Sequence, residues 1–468
     1  MGRSGSGKTL TLTQLYASIL PHIKPNTAER PKECERALIY DKKGDTLPIL
    51  CRLKERGLIH PEIPIYYFNP QDARTHAWDV RADLNALPLN QLDGRTPNTI
   101  PLNQLDGHIH RIVSNLFPRP EKSLETNASF YRTKAAQIAK GILHAFAAAD
   151  IPWTLRDVFA VLYKKEDREK ILRSHPRGQI ALEHCGDPDT AKILDATIST
   201  ELTPHGELAE LMQLAADRGR SFSIHEWLTR PSILVFSGTT NPDVPLAHLN
   251  RTFLTEFVEC LTRRRDTYKD ITWIFLDEAP SIGRQERFTT MLREGRSKGA
   301  AVFLGVQDIG GFRAALGDVN EAESVLAQIG NVAFFKLSDH DSAEWASLRF
   351  GEVRRIDAMQ DCVRVQRRFP YTEFQDLHTF SEELGLQGIF RAGDEQPHKT
   401  TIMPLLLKDL DEVPEEWWPL GSVPWPGDAR PKPNLELERM LGSSLNMPPR
   451  QANGRMPTTG RIHPPSNE

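Results

Sequence analysis

The chain of 468 residues is short of several things, and each shortage excludes a class of protein. Its cysteines, Cys34, Cys51, Cys185, Cys260 and Cys362, are scattered with no C-x-x-C pair. That speaks against a disulfide framework and against a zinc site, and for a reducing compartment. No apolar run reaches membrane-spanning length and no signal peptide opens the sequence, so the stretch reads as a cytoplasmic polypeptide. Charge of one sign is also missing. The net charge is −4, so any nucleic-acid surface has to be local rather than global. No nuclease constellation is evident.

What is present sits at the start: GRSGSGKT, comprising Gly2, Arg3, Ser4, Gly5, Ser6, Gly7, Lys8 and Thr9. This is a full G-x-x-x-x-G-K-T. The glycines let backbone N–H groups curl around phosphate oxygens, Lys8 is placed to reach the β- and γ-phosphates, and Thr9 carries a hydroxyl suited to Mg2+. The run after it predicts a helix with Leu12, Leu15 and Ile19 on one face, its positive dipole end toward the phosphates. A P-loop ordinarily follows a buried strand, and only Met1 precedes Gly2. The expectation is that the first strand lies upstream or comes from elsewhere, and that a chain extended upstream is more stable and binds ATP better.

Apolar runs then alternate with helical stretches: RALIYD, IPIYYFNP, and later SILVFSG, TWIFLDE, AAVFLGVQD and NVAFFKLS. The alternation predicts a mostly parallel α/β sheet. Strand ends hold its ligands, so Asp41 and Asp45 are either site residues or an acidic turn. From Asn127 to Asp217 only helical patterns occur, with Thr154 as an N-cap. The predicted organisation is residues 1–125 and 221–415 as two parts of a RecA-like P-loop NTPase domain, 126–220 as an all-α insertion, and 416–468 as a disordered tail. That tail has ten prolines from Pro419 on. Its Trp417, Trp418 and Trp425 are expected to dock on the body of the protein. PLNQLDG, at Pro88–Gly94 and again at Pro101–Gly107, reads as a duplicated loop insertion. His108 and His110 read as part of a surface loop rather than a metal pair.

TWIFLDEA supplies the partner motif. In a P-loop site the strand-end Asp277 orders the Mg2+ hydration shell, and Glu278 polarises the attacking water. The pair together with the octapeptide points to ATP hydrolysis. Gln307 ends the next strand, where it can sense the γ-phosphate. Arg296 lies nineteen residues beyond Asp277. It is either a solvated patch with Arg293 and Lys298 or a finger reaching a neighbouring subunit's nucleotide.

The ordered set GRSGSGKT, LIYDKKGD, FNPQDARTHAWD, SFSIHEWL, IFLDEAP and GRSKGAAVFLGVQD resembles the TraD-type conjugative coupling proteins of type IV secretion systems. These are relatives of the HerA/FtsK DNA translocases. The resemblance runs over roughly Gly2 to Asp361 and implies a homo-hexameric ring ATPase using ATP and Mg2+. Such a ring moves DNA without sequence preference and links a relaxase–DNA substrate to a secretion channel. It also implies contact with inner-membrane secretion components at the cytoplasmic face of the inner membrane. It carries Lys8, Thr9, Asp277 and Glu278 over to the nucleotide site, makes Arg296 the trans-acting finger and Gln307 the coupling residue. Two features depart from the family: its membrane-spanning helices are not seen, and Lys42 stands where its turn has proline, which bears on Lys43 and Asp45. A duplex DNA pump unlinked to secretion and a non-hydrolytic docking receptor are the other functions this pattern allows.

Overall fold

A computed structural model describes residues 1–2, 6–26, 34–42, 44–86, 102–117, 127–149, 151–183, 188–238, 244–282, 287–317, 319–357 and 362–403. The first copy of PLNQLDG, Lys43 and the Pro-rich tail with its three tryptophans lie outside these residues.

Helix α1 (Lys8–Ile19) is followed by β1 (Arg36–Asp41), α2 (Thr46–Glu55), β2 (Ile65–Phe68), β3 (Ala77–Trp78) and α3 (Val80–Asn85). Then come α4 (Leu102–Leu116), α5 (Asn127–Ala148), α6 (Leu155–Tyr163), α7 (Lys165–Arg173), α8 (Pro176–Leu182) and α9 (Pro188–Asp217). The chain returns through β4 (Ser221–Phe222), α10 (Ile224–Trp227), β5 (Ser232–Ser237), α11 (Val244–Thr262), β6 (Thr272–Leu276), α12 (Phe288–Glu294) and β7 (Ala300–Leu304). It continues as α13 (Ile309–Leu316), α14 (Val319–Ala327), β8 (Val332–Phe334), α15 (His340–Arg349), β9 (Glu352–Asp357), β10 (Cys362–Arg367), α16 (Tyr371–Asp376), β11 (Leu386–Arg391) and β12 (His398–Ile402).

Five strands form one parallel sheet in the order β2-β5-β1-β6-β7. β1 and β5 are buried along their whole length, as continuous apolar runs in a sheet covered on both faces should be. On one face, Leu12 and Tyr16 of α1 and Leu50 and Leu53 of α2 pack on Ile39, Val235 and Phe275. On the other, Phe253 and Phe257 of α11 pack with Leu38, Phe236 and Ile274, and this core runs on without interruption into helices α4 to α9.

Between α3 and β4 the described residues hold helices and no strand. Thr154 heads α6 in a capping box closed by the Asp157 carboxylate, which accepts from the Thr154 N–H at 2.9 Å. The block ends in one long helix, α9. The roots of the block are tied together. β3 pairs with β4, and the Asp83 carboxylate accepts from Trp78 Nε1 (2.7 Å), Ile224 N (2.9 Å) and His225 N (2.8 Å).

Two expectations fail at α4. The second PLNQLDG copy contributes to this helix rather than to a loop, and His108 is buried in it, its Nδ1 2.6 Å from Glu256 Oε2 of α11. Arg111 donates to the same carboxylate at 2.8 Å. Glu256, held below the usual carboxylate range by His108 and Arg111 despite its burial, stays ionised. The apolar face of α4 recurs at helical spacing (Ile109, Ile112, Val113, Leu116), which outweighs the turn-like look of the Asn, Asp and Gly residues. Among the described residues no group of three His, Cys, Asp or Glu side chains is placed to hold a metal.

A second, smaller sheet runs β12-β11-β8 with antiparallel pairing. β7 pairs with β6, and β8 with β11; their other edges face each other across a groove of about 730 Å3 lined by Leu15, Val302, Leu304, Ile329, Phe334 and Phe390. Met1 bridges toward it. Its nitrogen donates to Ala333 O at 2.6 Å and its carbonyl accepts from Phe335 N at 2.9 Å, the pattern of a parallel bridge. Gly2 N donates to Val306 O at 3.2 Å.

Candidate nucleotide site

The carboxyl edge of the parallel sheet gathers the ends of β1, β5, β6 and β7 and the start of α1. Gly7 is the N-cap of α1 with φ +95°, a left-handed conformation that favours glycine. A side chain there would also strike Leu386 at 2.6 Å. A side chain at Gly2 would strike Ser6 Oγ at 2.3 Å, so the two ends of the loop leave no room for substituents. Ser6 is almost fully buried, and its hydroxyl has no hydrogen-bond partner among the described residues. Lys8 Nζ donates to Gly2 O at 2.5 Å across the loop. Thr9 lies in the first turn of α1. These features suit an anionic ligand: two glycine positions a Cβ would fill, one orphaned hydroxyl, and a lysine turned inward at a helix N-terminus. Arg3, Ser4 and Gly5 lie outside the described residues.

β6 ends at Leu276, and Asp277 and Glu278 follow at the strand end. Tyr16 ties α1 to this strand. Its ring meets Phe275 edge-on at 5.0 Å, and burial first, then Asp41 and Asp277, push its hydroxyl far above the ordinary range. Glu278 is the residue sequence reasoning placed without foreseeing its backbone. It has φ +60°, the one non-glycine residue with positive φ among those described. A left-handed glutamate costs about 1–3 kcal/mol and persists where its surroundings over-determine it. Here three contacts do so. Ala279 N donates to Gly305 O at 3.0 Å, Ser281 N donates to Glu278 O at 2.8 Å, and Gln307 Nε2 donates to Glu278 Oε2 at 2.6 Å. Gln307 also follows Val306, whose carbonyl receives Gly2 N. The P-loop start, Gln307 and Glu278 are thus joined through short hydrogen bonds.

Asp41 belongs to the same edge but acts within the chain. Its two oxygens accept from Gly44 N (2.9 Å) and Thr46 N (2.8 Å), holding the turn into α2. Asp45 is the N-cap of α2 without a side-chain cap bond. Of the two readings of this acidic pair, the turn is the one its contacts describe.

Arg296 is not brought to this edge. It lies in a short 3-10 turn, Gly295–Lys298, ahead of β7, exposed, whereas Gln307 follows the strand. The five residues of β7 alone span roughly 17 Å. Lys298 pairs with Asp266 at 2.8 Å, and Arg293 donates to Ser324. Among the described residues no helix is long and apolar enough to cross a membrane.

The sequence matches the family described as "Type IV secretion-system coupling protein DNA-binding domain" over residues 1–364. A search of curated proteins finds no match. Among solved structures, the unbound monoclinic form of the bacterial conjugative coupling protein TrwBdeltaN70 is similar, with TM-score 0.61, 19% identity, and coverage of 87% of this chain and 83% of that one. The plasmid coupling protein TrwB in complex with ADP and Mg2+ is similar at TM-score 0.61 and 19% identity, covering 89% of this chain and 86% of that one. The complex of TrwB with a non-hydrolysable GTP analogue matches at TM-score 0.61 and 18% identity, covering 89% and 86%. At these identities the likeness concerns the fold.

Proposed function

The chain belongs to the type IV secretion-system coupling protein family, and from that premise we propose that it is an ATP-driven DNA translocase of conjugative transfer. Its ring would be a homo-hexamer that links a relaxase–DNA substrate to the secretion channel at the inner membrane. The observation that carries the reading is the hydrogen-bonded set Gly2–Val306, Gln307–Glu278, at the edge where α1 begins. The relatives bound to nucleotide and Mg2+ support the choice of ligand.

ATP with Mg2+ supplies the phosphoanhydride bond and the charge that neutralises its phosphates. The chain's residues then divide the work. The loop from Gly2 to Gly7 offers backbone N–H groups, and Lys8 leaves Gly2 O for the β- and γ-phosphate position. Thr9 and Asp277 are the residues to hold the metal. Glu278 takes the proton of the attacking water, and Gln307, already on its carboxylate, reports whether the γ-phosphate is there.

With a net charge of −4, DNA contact must be confined to a lining surface. Binding should be independent of sequence and weaken steeply with salt. Glu278→Gln should bind ATP as tightly as wild type and lose turnover, while Lys8→Ala should lose ATP affinity. Calorimetric ATP binding and phosphate release, with and without DNA, read both. Normal hydrolysis by the Glu278→Gln protein overturns the role given to Glu278, and a wild type that binds ATP and never turns it over on DNA overturns the translocase in favour of a docking receptor.

A further inference from the structure

Glu278 has a second support, on its backbone side, from a serine that lies just outside the motifs. Ser281 Oγ donates to Glu278 O at 2.8 Å, beside the Ser281 N–H that donates to the same oxygen. The same Ser281 Oγ lies 3.2 Å from the hydroxyl of Tyr40. Tyr40 is the penultimate residue of β1 and almost fully buried, with its ring 4.9 Å from that of Phe236 on β5. Its hydroxyl therefore comes from the central strand of the sheet and meets the turn that carries the strained glutamate. Burial raises the Tyr40 phenol above its ordinary range, so it stays a neutral hydroxyl.

We infer that Tyr40 and Ser281 are positioning residues: a hydroxyl pair that holds the Glu278 carbonyl, and so its left-handed backbone, in the conformation that aims the carboxylate. The inference rests on the reading of Glu278 as the residue that activates water. A left-handed backbone has an extended alternative at lower energy. Relaxing φ at Glu278 swings the side chain away from Gln307 while leaving Gly2, Lys8 and Thr9 where they are. The hydroxyl pair opposes that swing from one side, and Gln307 opposes it from the other. Because Tyr40 acts only through Ser281, the two belong to one chain of contacts rather than to two independent supports.

The test uses the full chain and three variants. Tyr40→Phe keeps the ring against Phe236 and removes only the hydroxyl; Ser281→Ala removes Oγ and keeps the backbone bond; the third carries both changes. Each should lower kcat roughly 3–10-fold, with ATP affinity and melting temperature close to wild type. The double variant should be no slower than Ser281→Ala alone. Ser281→Thr, which keeps a hydroxyl, should restore most of the rate. A Tyr40→Phe protein with wild-type kcat overturns the inference. So do losses in the two single variants that multiply in the double one, or a rate loss matched by an equal loss of ATP affinity. Glu278→Gln in the same assay separates the two claims: if it is inactive while Tyr40→Phe is normal, the brace alone fails, and if it is active, the role of Glu278 fails with it.

Discussion

A single carboxylate illustrates how far a residue's surroundings decide its chemistry. Asp83 belongs to none of the sequence motifs. In the fold it is fully buried, accepts three N–H donors at the roots of the helical block, and is pushed up to about 7, burial outweighing those donors. Its unfolded value is that of an ordinary aspartate, about 3.9. Between those values the folded chain holds a proton that the unfolded chain has released. Stability from this group is therefore present at low pH, declines as pH rises from about 4 to about 7, and is level above that, with a slope of at most about 1.4 kcal/mol per pH unit. Asp83→Asn removes the titration. Urea unfolding at pH 5, 6, 7 and 8 should give the variant a flatter profile than wild type below pH 7. It should also be less stable at pH 5, because an amide NH2 cannot accept from the donors a carboxyl oxygen serves. Parallel profiles for the two proteins would refute the assignment.

At the scale of elements, the strands of the parallel sheet were legible because they are buried on both faces and read as unbroken apolar runs, as in RALIYD and SILVFS. The helix α4 was not, since its N-terminal half is spelled in turn residues and its apolar face, Ile109 to Leu116, lies in the second half. Nor were β11 and β12, whose short runs carry no regular alternation of buried and exposed positions. That Gly2, Glu278 and Gln307 come together at one edge was readable from type and spacing. The positive φ of Glu278 and its tie to Gln307 were not, because they depend on a strand distant in sequence. The facing edges of β7 and β8 give a prediction at this scale. Met1 already makes a parallel bridge beside β8. An extended apolar segment of about five residues, such as alternating valine and isoleucine, joined ahead of Met1 should pair along the groove and cover Leu15 and Val302. The extended protein should melt higher and bind ATP more tightly, because the P-loop is then anchored on a buried strand. A segment of the same length rich in glycine and serine is the control. Equal melting temperature and affinity in both would show that the groove does not accept a strand.

The whole molecule raises the question of what completes the nucleotide edge. Among the described residues the positive groups at this edge are Lys8 and the N-terminus of α1, and Arg313, which lines a pocket with Gln307, is paired with Glu323. Arg296 stands at the opposite end of β7, exposed on a turn that is itself pinned. Thr267 N donates to Ser297 O at 2.8 Å, and the loop carrying Thr267 is tied down by Asp270, which pairs with the buried Arg36 and with Arg264. A rigidly mounted, exposed arginine is suited to reach a neighbouring copy, where a finger supplied in trans is worth about 10³–10⁵ in turnover. On that proposal specific ATPase activity rises with protein concentration, since only an assembled ring would complete the site, and Arg296→Ala binds ATP normally and hydrolyses it poorly. Mixing decides the matter. Arg296→Ala subunits retain Glu278, and Glu278→Gln subunits retain Arg296. Where the first offers its nucleotide edge to the second, an intact glutamate faces an intact arginine, so the mixture should regain partial activity although each variant alone is inactive. Mixed rings that form and stay inactive at every ratio, with a wild type equally active as a monomer, would leave Arg296 as a solvated neighbour of Arg293 and Lys298.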